Sequence, residues 1–258
     1  MGGSVITEKQ RPYTTSSAAI EAAMRTIAES HLKKVIVIHG GGSFGHPTAS
    51  RYNLQGGFRE PEQVLGLART RQAMMELNKI VIDAGVKERL PCVSIAPSSF
   101  VQTENKRIVR IETAIVNSLL NLGAVPVLFG DVVMDRQIGF CILSGDQLAA
   151  KLAMELNAGR VIFAVDVDGV YDSNPKLNPE AKLIEILDSR QAKQLIDSEK
   201  ISEHEFDVTG GMLAKIAEML PLTQRGVTVM FINGRKPAVL LDALKGIRTV
   251  GTTMRQAD

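Results

Sequence analysis

Residues 39–47, His-Gly-Gly-Gly-Ser-Phe-Gly-His-Pro, put three adjacent positions without side chains between two imidazoles. Backbone that lacks Cβ lets a ligand approach closely. N–H groups at the start of a helix, with the helix dipole behind them, favour an anion. Three other stretches have related chemistry: Leu-Ser-Gly-Asp at 143–146, Asp-Val-Asp-Gly-Val-Tyr at 166–171, and Asp-Val-Thr-Gly-Gly-Met at 207–212, the last followed by Lys215. Three of the four set glycine beside a polar or charged residue where a helix is expected to begin, which is the geometry of a phosphate site.

Two familiar readings of the glycine run fail. Gly40, Gly42 and Gly45 fit G-x-G-x-x-G, but a dinucleotide site needs a second strand ending in an acidic residue about 20 residues on. The chain there reads RYNLQGGFREPEQ, with no apolar strand. Gly40 and Gly45 also have phosphate-loop spacing, but His46-Pro47 stands where Lys-Ser/Thr is required.

Elements of two periods position these loops. Val35–Ile38, 91–95, 125–129, 161–167 and 227–232 read as buried strands. Helical spacing covers 18–30, 62–84, 112–123, 145–157, the stretch between Thr209 and Gly226, and 237–246. Such alternation predicts an α/β fold with a mainly parallel sheet, whose ligand loops gather at the carboxyl ends of the strands. The polar, proline-bearing stretch 176–185 reads as an insertion. In the long helix, Met74, Met75, Leu77, Ile80 and Val81 form a core or dimer face. His39 reads as a hydrogen-bonded turn residue, and His31 and His204 as surface residues.

The 258 residues are 45% hydrophobic and 22% charged, which excludes disorder. No apolar run is long enough for a membrane span, and MGGSVITEKQ, without a long apolar core, does not read as a secretory signal. A formal net charge of +2 gives no basis for a nucleic-acid partner. Two cysteines, Cys92 and Cys141, read as buried reduced thiols, which fits the cytoplasm.

Taken in order, Gly-Gly-Ser at 2–4, the glycine run, Ser-Gly-Asp, Asp-Val-Asp-Gly-Val-Tyr and Thr-Gly-Gly-Met-x-x-Lys resemble the amino-acid kinase family over nearly the whole chain. Ser-Phe-Gly-His after the glycines and Asp-Val-Thr-Gly-Gly-Met before Lys215 are similar to its isopentenyl phosphate kinases. The resemblance implies a three-layer α/β sandwich in a single domain, with an acceptor lobe at 1–157 and a nucleotide lobe at 158–258. It implies transfer of the γ-phosphoryl of ATP, with Mg2+ bound to the nucleotide and no dedicated metal site, to isopentenyl phosphate or dimethylallyl phosphate, in a homodimer. Lys9, His46, Asp146 and Lys215 would be catalytic. Gly41, His46 and Gly145 would hold the acceptor. Gly3, Gly42, Asp166, Asp168, Gly169, Tyr171, Gly211 and Lys215 would hold the nucleotide. His46 would distinguish a phosphate-bearing acceptor. Val132, Phe140, Ile142 and the inner face of the 62–84 helix are candidates for an apolar pocket around a five-carbon group. A fosfomycin kinase-like transferase and a non-catalytic nucleotide sensor are the competing readings. The family pattern usually opens with an apolar strand and a lysine ahead of the Gly-Gly-Ser, so truncation before Met1 is expected.

Overall fold

The computed structural model describes residues 1–8, 10–199 and 211–257. Lys9, residues 200–210 (with His204 and Gly210) and Asp258 lie outside the described residues. The chain divides into two compact units, Met1–Lys151 and Leu152–Asp258.

The first unit contains α1 (Gly3–Ile6), α2 (Ser17–Glu29), β1 (Val37–His39), α3 (Gly42–Arg51), α4 (Glu62–Lys87), β2 (Cys92–Ser94), β3 (Val101–Glu104), β4 (Arg107–Ile111), α5 (Ala114–Asn121), β5 (Val125–Phe129), β6 (Asp131–Asp135) and β7 (Gly139–Leu143). Helix α6 (Gly145–Glu155) contains the boundary. The second unit adds β8 (Arg160–Val165), β9 (Ile186–Asp188), α7 (Ser189–Glu199), α8 (Met212–Thr223), β10 (Thr228–Asn233), α9 (Pro237–Lys245) and β11 (Thr252–Arg255).

The fold is α/β, with strands bonded in three sheets. In the first unit, β1-β5-β2 is wholly parallel, and β4-β3-β6-β7 joins two antiparallel hairpins through a parallel β3–β6 pair. In the second, order β8-β10-β11-β9 has parallel outer pairs around an antiparallel centre.

Every residue of β5 is buried, as a central strand of a covered parallel sheet requires. Its Pro126 explains where β1 starts. The Gly130 N–H bonds the His39 carbonyl, and stepping back by twos makes residue 126 the donor for Val35. Proline has no N–H to give, so β1 is Val37–His39 and not the expected 35–38. On the other edge of β1, the Met1 ammonium bonds the Ile38 carbonyl at 2.7 Å and the Gly40 N–H bonds the Met1 carbonyl at 3.0 Å.

Helix α4 runs three residues past the expected end. Met74, Leu77 and Val81 are buried, whereas Met75 is exposed. His31 is exposed, and both cysteines are free and buried. Among the described residues no helix is long and apolar enough to cross a membrane.

Candidate active site

The glycine run turns the chain from β1 into α3 within a space that admits no side chains. A Cβ on Gly3 would stand 2.5 Å from the Gly42 nitrogen, and one on Gly40 would stand 2.9 Å from the Gly3 nitrogen. Gly42 has φ +46°, and a Cβ there would strike the Thr7 hydroxyl and the Gly3 carbonyl. Gly41, the N-cap of α3, rests on Met74: a Cβ there would stand 3.0 Å from Sδ. Gly3, Gly41 and Gly42 are thus brought together, with the amino ends of α1 and α3 side by side.

Thr7 fastens this crossing. Its buried hydroxyl donates to the Gly3 carbonyl at 2.7 Å and accepts the Ser43 N–H at 3.0 Å. Pro47 cannot supply the helical bond to the Ser43 carbonyl, and that carbonyl accepts the Tyr13 N–H instead. Tyr13 also meets Thr48 through its hydroxyl at 2.6 Å and packs edge-on against Phe44. Thr7, Tyr13 and Thr14 therefore pack on α3. Sequence reasoning missed Thr7, because its partner at Ser43 lies 36 residues away and no local pattern shows the pairing.

His39 is fully buried and stacked on Phe129. Nδ1 lies 3.1 Å from the Gly40 carbonyl, so this nitrogen carries the hydrogen. Nε2 then accepts from the Asn78 amide at 3.1 Å, and Asn78 Oδ1 accepts the Ser94 hydroxyl at 2.6 Å. Burial lowers the imidazole pKa to about 4; the Gly40 carbonyl opposes this and the Met1 ammonium adds to it. His39 is neutral at pH 7. His46, on the fifth residue of α3, is exposed.

Gly130 and Gly145 close the far side of the turn. A Cβ on Gly145 would meet Ile38 Cγ2 at 3.4 Å, and one on Gly130 would lie 3.5 Å from the Gly145 nitrogen. The amino end of α6 thus lies beside the carboxyl end of β1. The Ser144 hydroxyl accepts the Gln147 N–H at 3.1 Å, so Ser144 caps α6, and Asp146 lies in its first turn. The apolar candidates Val132 and Phe140 share a buried cluster with Tyr52 and Leu54, against which Ile142 and Leu67 pack.

In the second unit, the acidic loop follows β8. Asp166 pairs with Lys176 at 2.6 Å. Asp168 pairs with Lys236 at 2.7 Å and accepts the Asn233 amide at 2.9 Å. Lys236 is the main cause that holds the Asp168 carboxyl below its usual range. Burial, then the Asp168 charge, push the Tyr171 phenol up. Gly169 is packed against β11: a Cβ there would stand 2.6 Å from the Thr252 hydroxyl. Gly211 caps α8 with φ +100°, and a Cβ on it would lie 4.0 Å from Lys215 Nζ, so that ammonium lies over the helix start. Sequence reasoning also missed Lys176, Asn233 and Lys236, whose partners lie 10 to 68 residues away. Among the described residues no three His, Cys, Asp or Glu side chains gather as a metal site.

The pattern of the amino acid kinase family matches residues 1–233. The chain is 36% identical to an isopentenyl phosphate kinase of Methanothermobacter thermautotrophicus, over 98% of this chain and 96% of that protein. It is 34% identical to one from Methanocaldococcus jannaschii, over 95% and 94%. A crystal structure of an isopentenyl phosphate kinase superposes with a TM-score of 0.85 at 34% identity, covering 98% of this chain and 97% of that one. The turn from β1 into α3, with its enforced glycines, therefore lies in a chain that belongs to the amino acid kinase family, among its isopentenyl phosphate kinases.

Proposed function

We propose that this chain transfers the γ-phosphoryl of ATP to isopentenyl phosphate, giving isopentenyl diphosphate and ADP. The observation that carries this reading is the cradle of enforced glycines at the carboxyl end of β1, where α3 and α6 both begin. Backbone there can approach a phosphate closely, and two helix dipoles favour its charge. The names of the similar proteins support the acceptor.

The acceptor is already an anion, so no proton must be removed before its oxygen attacks the γ-phosphorus. The bond to the β–γ bridging oxygen breaks as the new P–O bond forms, and the leaving charge stays on ADP. Such a reaction asks for alignment and charge compensation, with little demand for general-base chemistry. In this reading the first unit is the acceptor lobe: Gly41, Gly145 and the exposed His46 hold the acceptor phosphate, and Val132, Phe140 and Ile142 wall the five-carbon group. The second unit holds the nucleotide: Asp166, Asp168, Gly169 and Tyr171 line its site, with Gly211 and Lys215 at its phosphates. Gly3 and Gly42 serve the transferring group, and Lys9 and Asp146 complete the catalytic set. Mg2+ would be held by the nucleotide's own phosphates. Exposed Val64, Leu65, Met75 and Val86 on α4 suit a homodimer contact, and the two free thiols suit the cytoplasm.

An acceptor screen with ATP tests the reading. Isopentenyl phosphate, then dimethylallyl phosphate, should be the preferred acceptors. Faster turnover of fosfomycin, or ATP hydrolysis that no phosphate acceptor accelerates, would replace it.

A further inference from the structure

We infer that His39, Asn78 and Ser94 form a positioning relay that sets which way the Gly40–Gly41 peptide faces. This rests on the proposed role of Gly41 at the acceptor phosphate and adds three residues to it.

The three side chains come from β1, α4 and β2, and the relay has one consistent direction. Ser94 donates to Asn78 Oδ1, so the amide of Asn78 is fixed with its NH2 toward His39. That NH2 donates to Nε2, which leaves the ring hydrogen on Nδ1. Nδ1–H then donates to the carbonyl of Gly40. A tautomer swap would set two hydrogens against each other at Nε2 and two lone pairs against each other at Nδ1. In the buried site neither could turn to water.

The consequence lies one bond further on. The peptide is trans, since the described chain has no cis bond. In a trans peptide the N–H points opposite to the preceding C=O. With the Gly40 carbonyl pinned to the imidazole, the Gly41 N–H is turned away from it. Glycines have no Cβ to fix this peptide by sterics, so its orientation needs an outside restraint. A flipped peptide would present a carbonyl oxygen to a phosphate and repel it. The Gly41 carbonyl is separately held by the Phe44 and Gly45 N–H groups, and Met74 packs beneath Gly41 and Gly45. The Gly40–Gly41 peptide is therefore the part of the turn that the relay governs.

Asparagine and glutamine separate the two ring nitrogens. Asn at 39 sets an amide NH2 near the Nδ1 position, and Gln sets one near Nε2. His39→Gln should lower kcat with isopentenyl phosphate by about 10²-fold, the scale of losing one backbone donor to a developing charge, with KM for ATP little changed. His39→Asn should recover most of that loss, although both variants lower Tm. Turnover that tracks Tm alike in the two variants overturns the relay. Asn78→Ala, which leaves the turn's own residues untouched, tests the claim from the far end should His39→Gln not fold, and should likewise lower kcat more than it raises KM for ATP. A glycine-15N spectrum titrated with inorganic phosphate reads the peptide independently of turnover. Phosphate should move the Gly41 amide signal in the wild type and in His39→Asn, and not in His39→Gln. Equal shifts in all three, or none in the wild type, overturn the inference. Loss of isopentenyl phosphate turnover in the wild type would instead remove the proposed reaction while the spectrum still reports the peptide.

Discussion

At Gly3, Gly40 and Gly42, backbone lies against backbone, and each contact is closed by a buried hydroxyl, a ring nitrogen or a main-chain bond. At Asp166 and Asp168, carboxylates are held by lysines whose side chains are 55% and 51% exposed. The first region is fixed by shape and by buried, direction-specific hydrogen bonds. The second is fixed by charges that water and salt can reach. In the proposed reading, a cradle for a short acceptor can be preformed, whereas a loop that admits and releases a nucleotide benefits from restraints worth little individually.

The contrast can be broken or sharpened, beginning with shape. Gly42→Ala combines an unfavourable positive φ with a clash against Thr7 and should cost about 3 kcal/mol in denaturant unfolding; a loss below about 1 kcal/mol would show that the turn is not rigid. Acid comes next. The His39 pKa is about 4 when folded against 6.5 unfolded. Below pH 6.5 the unfolded chain binds a proton that the native site refuses. Stability therefore falls as pH drops from 6.5 to about 4, by about 3 kcal/mol in all. His39→Asn should lose that part of the pH dependence, as measured by urea titrations at each pH. His46→Ala should lower kcat/KM for isopentenyl phosphate by about 10²-fold, and near-normal kinetics would return this exposed imidazole to the solvent. Lys215→Ala should raise KM for ATP by about tenfold, the scale of one charge-assisted phosphate contact. The smallest effect belongs to the acidic loop. Lys236→Ala should change stability by less than about 1 kcal/mol, and the difference from wild type should vanish in high salt. The folded Asp168 carboxyl is depressed, so its contribution is present at neutral pH and lost as pH falls through the folded pKa.

The buried parallel strands and the long helices could be read from the sequence because apolar periodicity reports burial directly. The two hairpins of the β4-β3-β6-β7 sheet could not. The β3–β4 turn is Asn105-Lys106, both with positive φ, 47° and 66°, where glycine would have signalled a turn. What supports it is Asp135, a distant residue whose carboxylate accepts the N–H groups of Asn105 and Lys106 as well as those of Gln137 and Ile138. Burial would raise that carboxyl, but the Lys106, Gln137 and Ile138 N–H groups and the Thr103 hydroxyl hold it down to about 2. In the candidate site, the glycines and the helix starts were legible because backbone geometry selects residue type. Thr7, Asn78, Ser94 and Lys236 were not, since a hydroxyl, amide or ammonium that works through a distant partner looks like any polar residue.

The Gly3–Gly42 crossing also has a meaning in time. As the chain is synthesised, residues 3–7 emerge well before their partners in the turn at 40–43, and the cradle's far wall waits for Gly130 and Gly145. No nascent chain that stops before residue 145 contains every piece. Closing contacts this distant in sequence costs entropy before it gains stability, and so they form slowly. Until Gly145 has left the ribosome, the glycine turn has no complete set of walls, so the proposed phosphate binding should appear late and abruptly during synthesis.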